Sequence, residues 1–343
     1  RNIVYFRFAS HEPLVKECPE VKRVEIPLSH QFENFTVEIH KVIEREGFDA
    51  FYVFDCLSEL QTAWATDLMM GNFFRVTCPF LFSLDTVAFF PIIRGKHSFH
   101  AVKKILNTTQ LLLDVYSDPK NIYVRPAKVW NRDSETMFLP HIYNKELGTF
   151  RPIRDGVQSS RFYQILSKFQ RPGEEQFTDS WDRFFNTARM LYDNHMNTEE
   201  ACNTMCDIMM TRDRKMRLMV KKHFSPEDYF SVRNHMIGTG MIGGKACGML
   251  LSRAIVRNLA PDINEVLEPH DSFFIGSDVY YTYIVDNGFW DIRVRQREET
   301  EYFSLAEEFA RRLKNGVFSE EMKNHFLHIL EYYGQDPFIV RSS

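Results

Sequence analysis

No stretch of these 343 residues is apolar for long enough to span a bilayer. The longest apolar run, residues 78–93, is 16 residues and is broken by Asp85, whereas a spanning helix needs about 20. No signal-peptide pattern opens the chain. Cysteine is scarce: six in all, at 18, 56, 78, 202, 206 and 247, with no Cys-x-x-Cys pair. That argues against a disulfide framework or a zinc ribbon, and predicts reduced, mostly buried thiols in a cytoplasmic protein. Cys202 and Cys206 stand one helical turn apart, but no histidine or acid pattern completes a metal site around them. An excess of either charge is missing too. A net charge of −4 gives no general attraction to nucleic acid or to an anionic membrane. Glycine is infrequent, 15 residues, which makes its distribution informative, because five of the 15 lie between 238 and 250.

What is present is the composition of a folded chain, 44% hydrophobic and 26% charged, with 31 phenylalanines. At this length two domains are expected. Residues 2–8 are rich in β-formers and read as a strand. Over residues 32–47 the apolar positions 32, 35, 39, 42 and 43 have helical spacing, and Gly47 is placed to end the helix. Residues 50–54 form a continuous apolar run, as expected of a strand buried on both faces, and stop at Asp55. A second helix should follow, presenting Leu57, Leu60, Trp64 and Leu68, with Gly71 after it. Further strands are expected at 87–93, 111–116 and 122–129, and a helix at 99–107. This alternation predicts an α/β domain with a mainly parallel sheet and flanking helices over residues 1–147.

Residues 148–160 are polar and turn-rich, the expected linker. A helical connector should run from there to residue 235, with helices at 162–169, 181–194 and 198–223. Its Met and aromatic stripe (Phe184, Phe185, Met190, Leu191, Met205, Met209, Met210) reads as helical core. The basic stretch 212–222 reads as a solvated helix face, since Met216, Leu218, Met219 and Val220 interleave it.

Asp55 ends a buried strand, where α/β sheets place their ligands. Two readings stand: an acid capping the following helix, or a group beside a nucleotide-bound metal. Val53-Phe54-Asp55-Cys56-Leu57 resembles the second nucleotide motif of the RecA/KaiC-like ATPases, a resemblance that would place Asp55 near Mg²⁺. His97-Ser98 after a later strand is similar to that group as well. The phosphate loop of the group is absent. Gly-Lys occurs only at 95–96 and 244–245, followed by His97 and Ala246, so neither copy supplies the hydroxyl that binds Mg²⁺.

Gly238-Thr-Gly-Met-Ile-Gly-Gly-Lys-Ala-Cys-Gly is the strongest candidate for a loop facing phosphate. It fits G-x-G-x-x-G, but residues 225–235 before it are charged and irregular where a dinucleotide fold needs a buried strand. It fails as a Walker loop at Thr239 and Ala246. The remaining reading puts Lys245 at the amino end of a helix, a natural anion site. Two more helices are expected at 305–315 and 319–333. A buried strand should follow at 335–343, with Arg341 at its exit.

Three features in this order carry a family resemblance: Gly243-Gly-Lys-Ala-x-Gly-Met, then Pro269, Phe273 and Ile275, then an apolar segment ending Val340-Arg-Ser-Ser. Residues 236–343 resemble the amino-terminal part of the nucleotide-binding domain of phosphoenolpyruvate synthase and pyruvate phosphate dikinase. The resemblance implies a partial α+β ATP-grasp subdomain that binds Mg-ATP and passes a phosphoryl group to a histidine on a separate domain. By motif, Lys245 and Arg341 would contact ATP phosphates, Gly243 and Gly244 would let the backbone approach them, and Ser342 and Ser343 would be weaker contacts. Two cations converging on a triphosphate suit phosphoryl transfer, which depends on positioning and charge neutralisation. Both ends of the chain are expected to continue in a longer protein. The whole would be an ATP-dependent phosphotransferase with ATP and Mg²⁺ as cofactors, a phosphohistidine domain downstream, an unnamed acceptor and room for an oligomer; this part alone would be inactive. The other class of reading is a non-catalytic, nucleotide-responsive regulator or scaffold built on the KaiC-like domain.

Overall fold

The computed structural model describes residues 2–342, apart from 9–11, 14, 16–17, 28–30, 63–65, 120, 169–177 and 269–270. The chain is a mixed α/β protein with one parallel and one antiparallel four-stranded sheet. The parallel sheet holds β1 (Asn2–Arg7), β2 (Val21–Glu25), β3 (Ala50–Asp55) and β4 (Val87–Phe89) in the order β2-β1-β3-β4. The order reverses at β1, so the carboxyl ends of β1 and β3 lie side by side at the switch point. Helix α1 (Phe32–Glu46) ends where the spacing predicts: Gly47 adopts φ 68° and its N–H donates to Ile43 O at 2.9 Å.

The second helix differs from expectation. Leu57–Thr62 forms a short 3₁₀ turn, and α2 runs from Asp67 to Phe82. Trp64 lies outside the described residues. Gly71, read as a helix stop, sits inside α2, where a Cβ would come within 2.8 Å of the Lys104 side chain. It is a contact point for α3 (Phe99–Thr108), not a terminator.

The expected strands 111–116 and 122–129 are present as β5 (Leu111–Ser117) and β6 (Ile122–Val129), but they pair antiparallel. A parallel crossover needs a dozen or more residues, and here Asp118 and Asn121 close a tight turn, with Asn121 N–H donating to Asp118 Oδ1 at 2.6 Å. β7 (His141–Asn144) and β8 (Thr149–Pro152) complete this sheet, and α4 (Gly156–Lys168) packs on it through Phe162 and Leu166. The turn-rich stretch 148–160 therefore contains a strand and the start of a helix.

A helical layer follows: α5 (Ser180–Asp193), α6 (Glu199–Met205) with a widened turn at 206–210, α7 (Arg214–His223) and α8 (Pro226–Asn234). The Met and aromatic stripe is largely core, as its spacing predicts: Phe185, Met205, Met209 and Met210 are buried, although Met190 is exposed. Cys206 and Cys247 are buried in the same cluster and burial pushes both thiols up to about 11, so they are not thiolates at neutral pH. Cys18 is exposed, against the expectation of buried thiols.

The last third contains β9 (Met236–Ile237), α9 (Gly244–Leu259), α10 (Pro261–Glu265), β10 (Phe274–Ile275), α11 (Ser277–Asp286), α12 (Trp290–Gln296), α13 (Ala306–Asn315) and α14 (Glu320–Tyr333). Much of it closes back on the parallel sheet. Ile284, Val285, Trp290, Ile292 and Phe309 share one core with Val4, Phe6, Phe54 and Phe73, and Phe32 meets the rings of Tyr281 and Trp290 at 5.2 and 5.4 Å. The buried strand expected at 335–343 is not formed: residues 337–342 are irregular and Ile339 and Val340 are largely exposed. A strand needs a hydrogen-bonding neighbour, and no other strand pairs with this segment among the described residues. Ser343 lies outside them. No helix among the described residues is long and apolar enough to cross a membrane.

One half-buried base makes this packing sensitive to pH. His40 on α1 lies against Phe80, with ring centroids 4.8 Å apart, and its Nε2 is 3.1 Å from Thr77 Oγ1. Burial pushes its pKa down to about 4 from 6.5. Folding thus favours the neutral ring, and this contribution is present above pH 6.5 and lost as the pH falls from 6.5 towards 4. The urea midpoint should drop over that interval, and His40→Gln should flatten that part of the profile. A profile unchanged in slope by the substitution would place the effect elsewhere.

Candidate functional site

The glycine loop joins β9 to α9. β9 pairs parallel with β10, Met236 opposite Phe274 and Ile237 opposite Ile275, and Ile242 N–H donates to Met209 O at 3.0 Å, fastening the loop to the helical layer. Three glycines are needed by the backbone itself. Gly238 has φ +70°, Gly240 φ +88° and Gly243 φ +90°, values an L side chain rarely adopts. Gly243 is also the N-cap of α9, so the positive end of that helix's dipole lies at the loop.

Two further glycines have a different explanation. A Cβ added at Gly244 or Gly248 would meet nothing within 4 Å. Glycine inside a helix costs about 1 kcal/mol relative to alanine, and packing among the described residues does not require it at either place. Their four-residue spacing puts them on one helix face, leaving a bare strip of backbone at the start of α9 that a ligand could approach. Lys245 stands between them and is exposed. Its Nζ donates to the backbone oxygen of Ser342 at 3.2 Å, across 97 residues of sequence. The structure therefore brings the Lys245 side chain to the backbone of Ser342, next to Arg341, and both of those residues are exposed.

Asp55 lies elsewhere. It is fully buried at the end of β3, hydrogen-bonded by the Tyr5 hydroxyl, and its backbone oxygen accepts from Phe8 N–H at 3.1 Å. Among the described residues no group of three or more His, Cys, Asp or Glu is placed to hold a metal ion. Asp55 is therefore not part of such a group among the described residues.

Two groupings were not foreseen. Ser58, His97 and Asp67 stand in a relay: Ser58 Oγ is 2.7 Å from His97 Nε2, and His97 Nδ1 is 2.9 Å from Asp67 Oδ1. All three are buried, Ser58 Oγ also accepts Ile93 N–H at 2.8 Å, and Ser98 N–H donates to Asp67 Oδ2 at 2.6 Å. Burial pushes the Asp67 carboxyl up, but the bonds from His97 and Ser98 outweigh it and hold the carboxyl below the usual range. With every member satisfied and sealed from solvent, the relay braces the turns after β3 and β4 and offers no nucleophile to a substrate. The second grouping joins Thr66, Thr239 and Asp278 beneath the glycine loop. No signal in the sequence marks it.

A cleft of about 230 Å³ lies further along α9, lined by His235, Arg253, Arg257 and neighbours. Its cations are engaged: Arg257 pairs with Asp228 at 2.7 Å, and Arg253 donates to Glu268 O at 2.7 Å. It includes neither Lys245 nor Arg341. The chain matches no protein-family model, and no curated protein matches it.

Proposed function

We propose that the glycine loop, the start of α9 and residues 341–342 form part of the phosphate-binding wall of an ATP-dependent phosphotransferase of the phosphoenolpyruvate synthase and pyruvate phosphate dikinase type. The observation that carries this reading is the meeting of Lys245 with Ser342 beside the bare Gly244–Gly248 strip. In this reading Lys245 is a point charge on the phosphate oxygens, and the amino end of α9 adds the positive end of its dipole. Arg341, adjacent to the Lys245 contact, supplies a planar fork suited to a second phosphate oxygen. Mg²⁺ bound together with the triphosphate would supply further charge neutralisation beside these two cations. The finer fold assignment, a RecA/KaiC-like sheet joined to an ATP-grasp subdomain, belongs to the same proposal.

The test is Mg-ATP binding by the full chain, measured by titration calorimetry. A charge-assisted phosphate contact contributes about 1.5–3 kcal/mol, so Lys245→Ala and Arg341→Ala should each weaken binding by about 10–100-fold. Both variants binding within twofold of the parent would overturn the assignment. Lysine-dependent binding without transfer of phosphate to any protein histidine would favour the nucleotide-responsive regulator over the enzyme.

A further inference from the structure

We propose that Asp278 is a positioning residue for the glycine loop and that, through Thr66, it makes the loop's shape depend on the amino-terminal sheet unit. The nucleotide part of this inference rests on the function proposed above; the loop part does not.

Asp278 sits in the first turn of α11 and is only 3% exposed. Its Oδ2 accepts the Thr66 hydroxyl at 2.5 Å and the Thr239 hydroxyl at 2.6 Å, and those two oxygens are 3.2 Å apart. Thr66 belongs to the amino-terminal unit, where it caps α2 and accepts Met69 N–H. Thr239 is the second residue of the glycine loop. One carboxylate oxygen therefore holds together groups 212 and 39 residues away from it in sequence. Next to it, Ser277 Oγ accepts Met241 N–H at 3.1 Å.

The backbone repeats the connection. Gly276 N–H donates to Ile237 O and Ser277 N–H to Met241 O, both at 2.9 Å, and Asp278 N–H reaches Thr239 O at 3.3 Å. The loop is drawn down so closely that a Cβ at Gly240 would fall 2.5 Å from Ser277 Oγ and 2.6 Å from Asp278 Oδ1. The left-handed turn at Gly240 and the carboxylate beneath it thus define each other. Burial raises the Asp278 carboxyl above the usual range while the three hydroxyls pull it back, so its partners are neutral donors in a site with little water to replace them.

Below the carboxylate, α2 and α11 run side by side in the same direction. Asn72 donates to Thr282 at 2.9 Å, and Arg75 pairs with Asp286 one turn further on. A shift of α2 is therefore felt at Asp278, and through Thr239 and Ser277 at the turns that lead to Lys245. This arrangement places the phosphate-facing loop under the control of whatever moves the amino-terminal sheet.

Thr66→Val removes the donor while keeping shape, and Thr66→Ser keeps the donor. In the full chain without nucleotide, the amides of residues 238–244 should exchange about tenfold faster in Thr66→Val, with the global unfolding midpoint little changed, and Thr66→Ser should restore protection. Mg-ATP affinity should fall by about 5–30-fold in Thr66→Val and recover in Thr66→Ser. Loop exchange within twofold of the parent in Thr66→Val overturns the inference. Lys245→Ala run in parallel separates the two claims: parental nucleotide binding there defeats the nucleotide reading, and the exchange measurement still decides the clasp. Asp278→Asn should reproduce the faster loop exchange, and unchanged exchange in a folded Asp278→Asn protein would count against the clasp equally.

Discussion

Truncating Phe54 to alanine will lower the unfolding free energy by about 3–5 kcal/mol. Phe54 lies on β3, an inner strand of the parallel sheet, and has no exposed surface. Its ring stacks on Phe90 at 4.4 Å and Phe6 at 4.9 Å, and Phe73 meets it edge-on at 6.1 Å. These neighbours come from β1, α2 and the segment after β4, so no single element can slide in to refill the space. Each is also held by other rings: Phe90 by Phe74, Phe73 by Phe35 and Phe74. The cavity should remain open and the cost should approach the upper end of the range for aromatic truncation. Urea denaturation with an unchanged m-value is the measurement. A loss below about 1 kcal/mol would mean that this ring cluster collapses freely, contrary to the interlocked packing.

Gly276→Ala will be strongly destabilising for the addition of a single methyl group. The backbone at Gly276 is ordinary, φ −66° and ψ 151°, so alanine suffers no conformational strain there. The obstacle is the glycine loop. A Cβ would stand 2.1 Å from Thr239 O, 2.7 Å from the carbonyl carbon and 2.9 Å from Met236 Cε. Two of those atoms are backbone and cannot rotate away. Relief requires separating β9 from β10, with loss of the Gly276–Ile237 and Ser277–Met241 bonds. Overpacking costs about 1–3 kcal/mol and occasionally more; with the hydrogen bonds at stake the loss here should be about 3 kcal/mol or greater. Gly248→Ala is the opposite case. Its Cβ meets open space, so the helix should gain about 1 kcal/mol. The pair of unfolding midpoints checks the geometry directly, and equal shifts for both glycines would contradict it.

The helix over 32–46 and the strand over 50–55 could be read from the sequence because each advertises its period and its stop locally: apolar spacing and Gly47 in one, an unbroken apolar run closed by Asp55 in the other. The glycine loop was visible as a cluster, and the pairing of its lysine with residues 341–342 was legible only as an ordered set of motifs. The antiparallel sheet was missed because apolar runs do not reveal strand direction, although the five residues between the expected strands 111–116 and 122–129 were too few for a crossover. Gly71 was misread because a glycine that admits a neighbouring helix is indistinguishable in sequence from one that ends its own. The Asp278 clasp was invisible for a stronger reason. A lone acid takes its meaning from partners far away along the chain, and single-residue types at such distances carry no periodicity.

The core shared between the parallel sheet and helices α11 to α13 has a consequence for synthesis. Strands β1 to β4 are complete once residue 89 has been made, but Ile284, Val285, Trp290, Ile292 and Phe309 are the residues that finish covering their core. At translation rates of about 5–20 residues per second, those residues emerge roughly 10–40 s after β4. During that interval the nascent sheet presents the apolar surface that the late helices will bury. Chaperone occupancy on the ribosome should therefore concentrate between the fourth strand and the thirteenth helix.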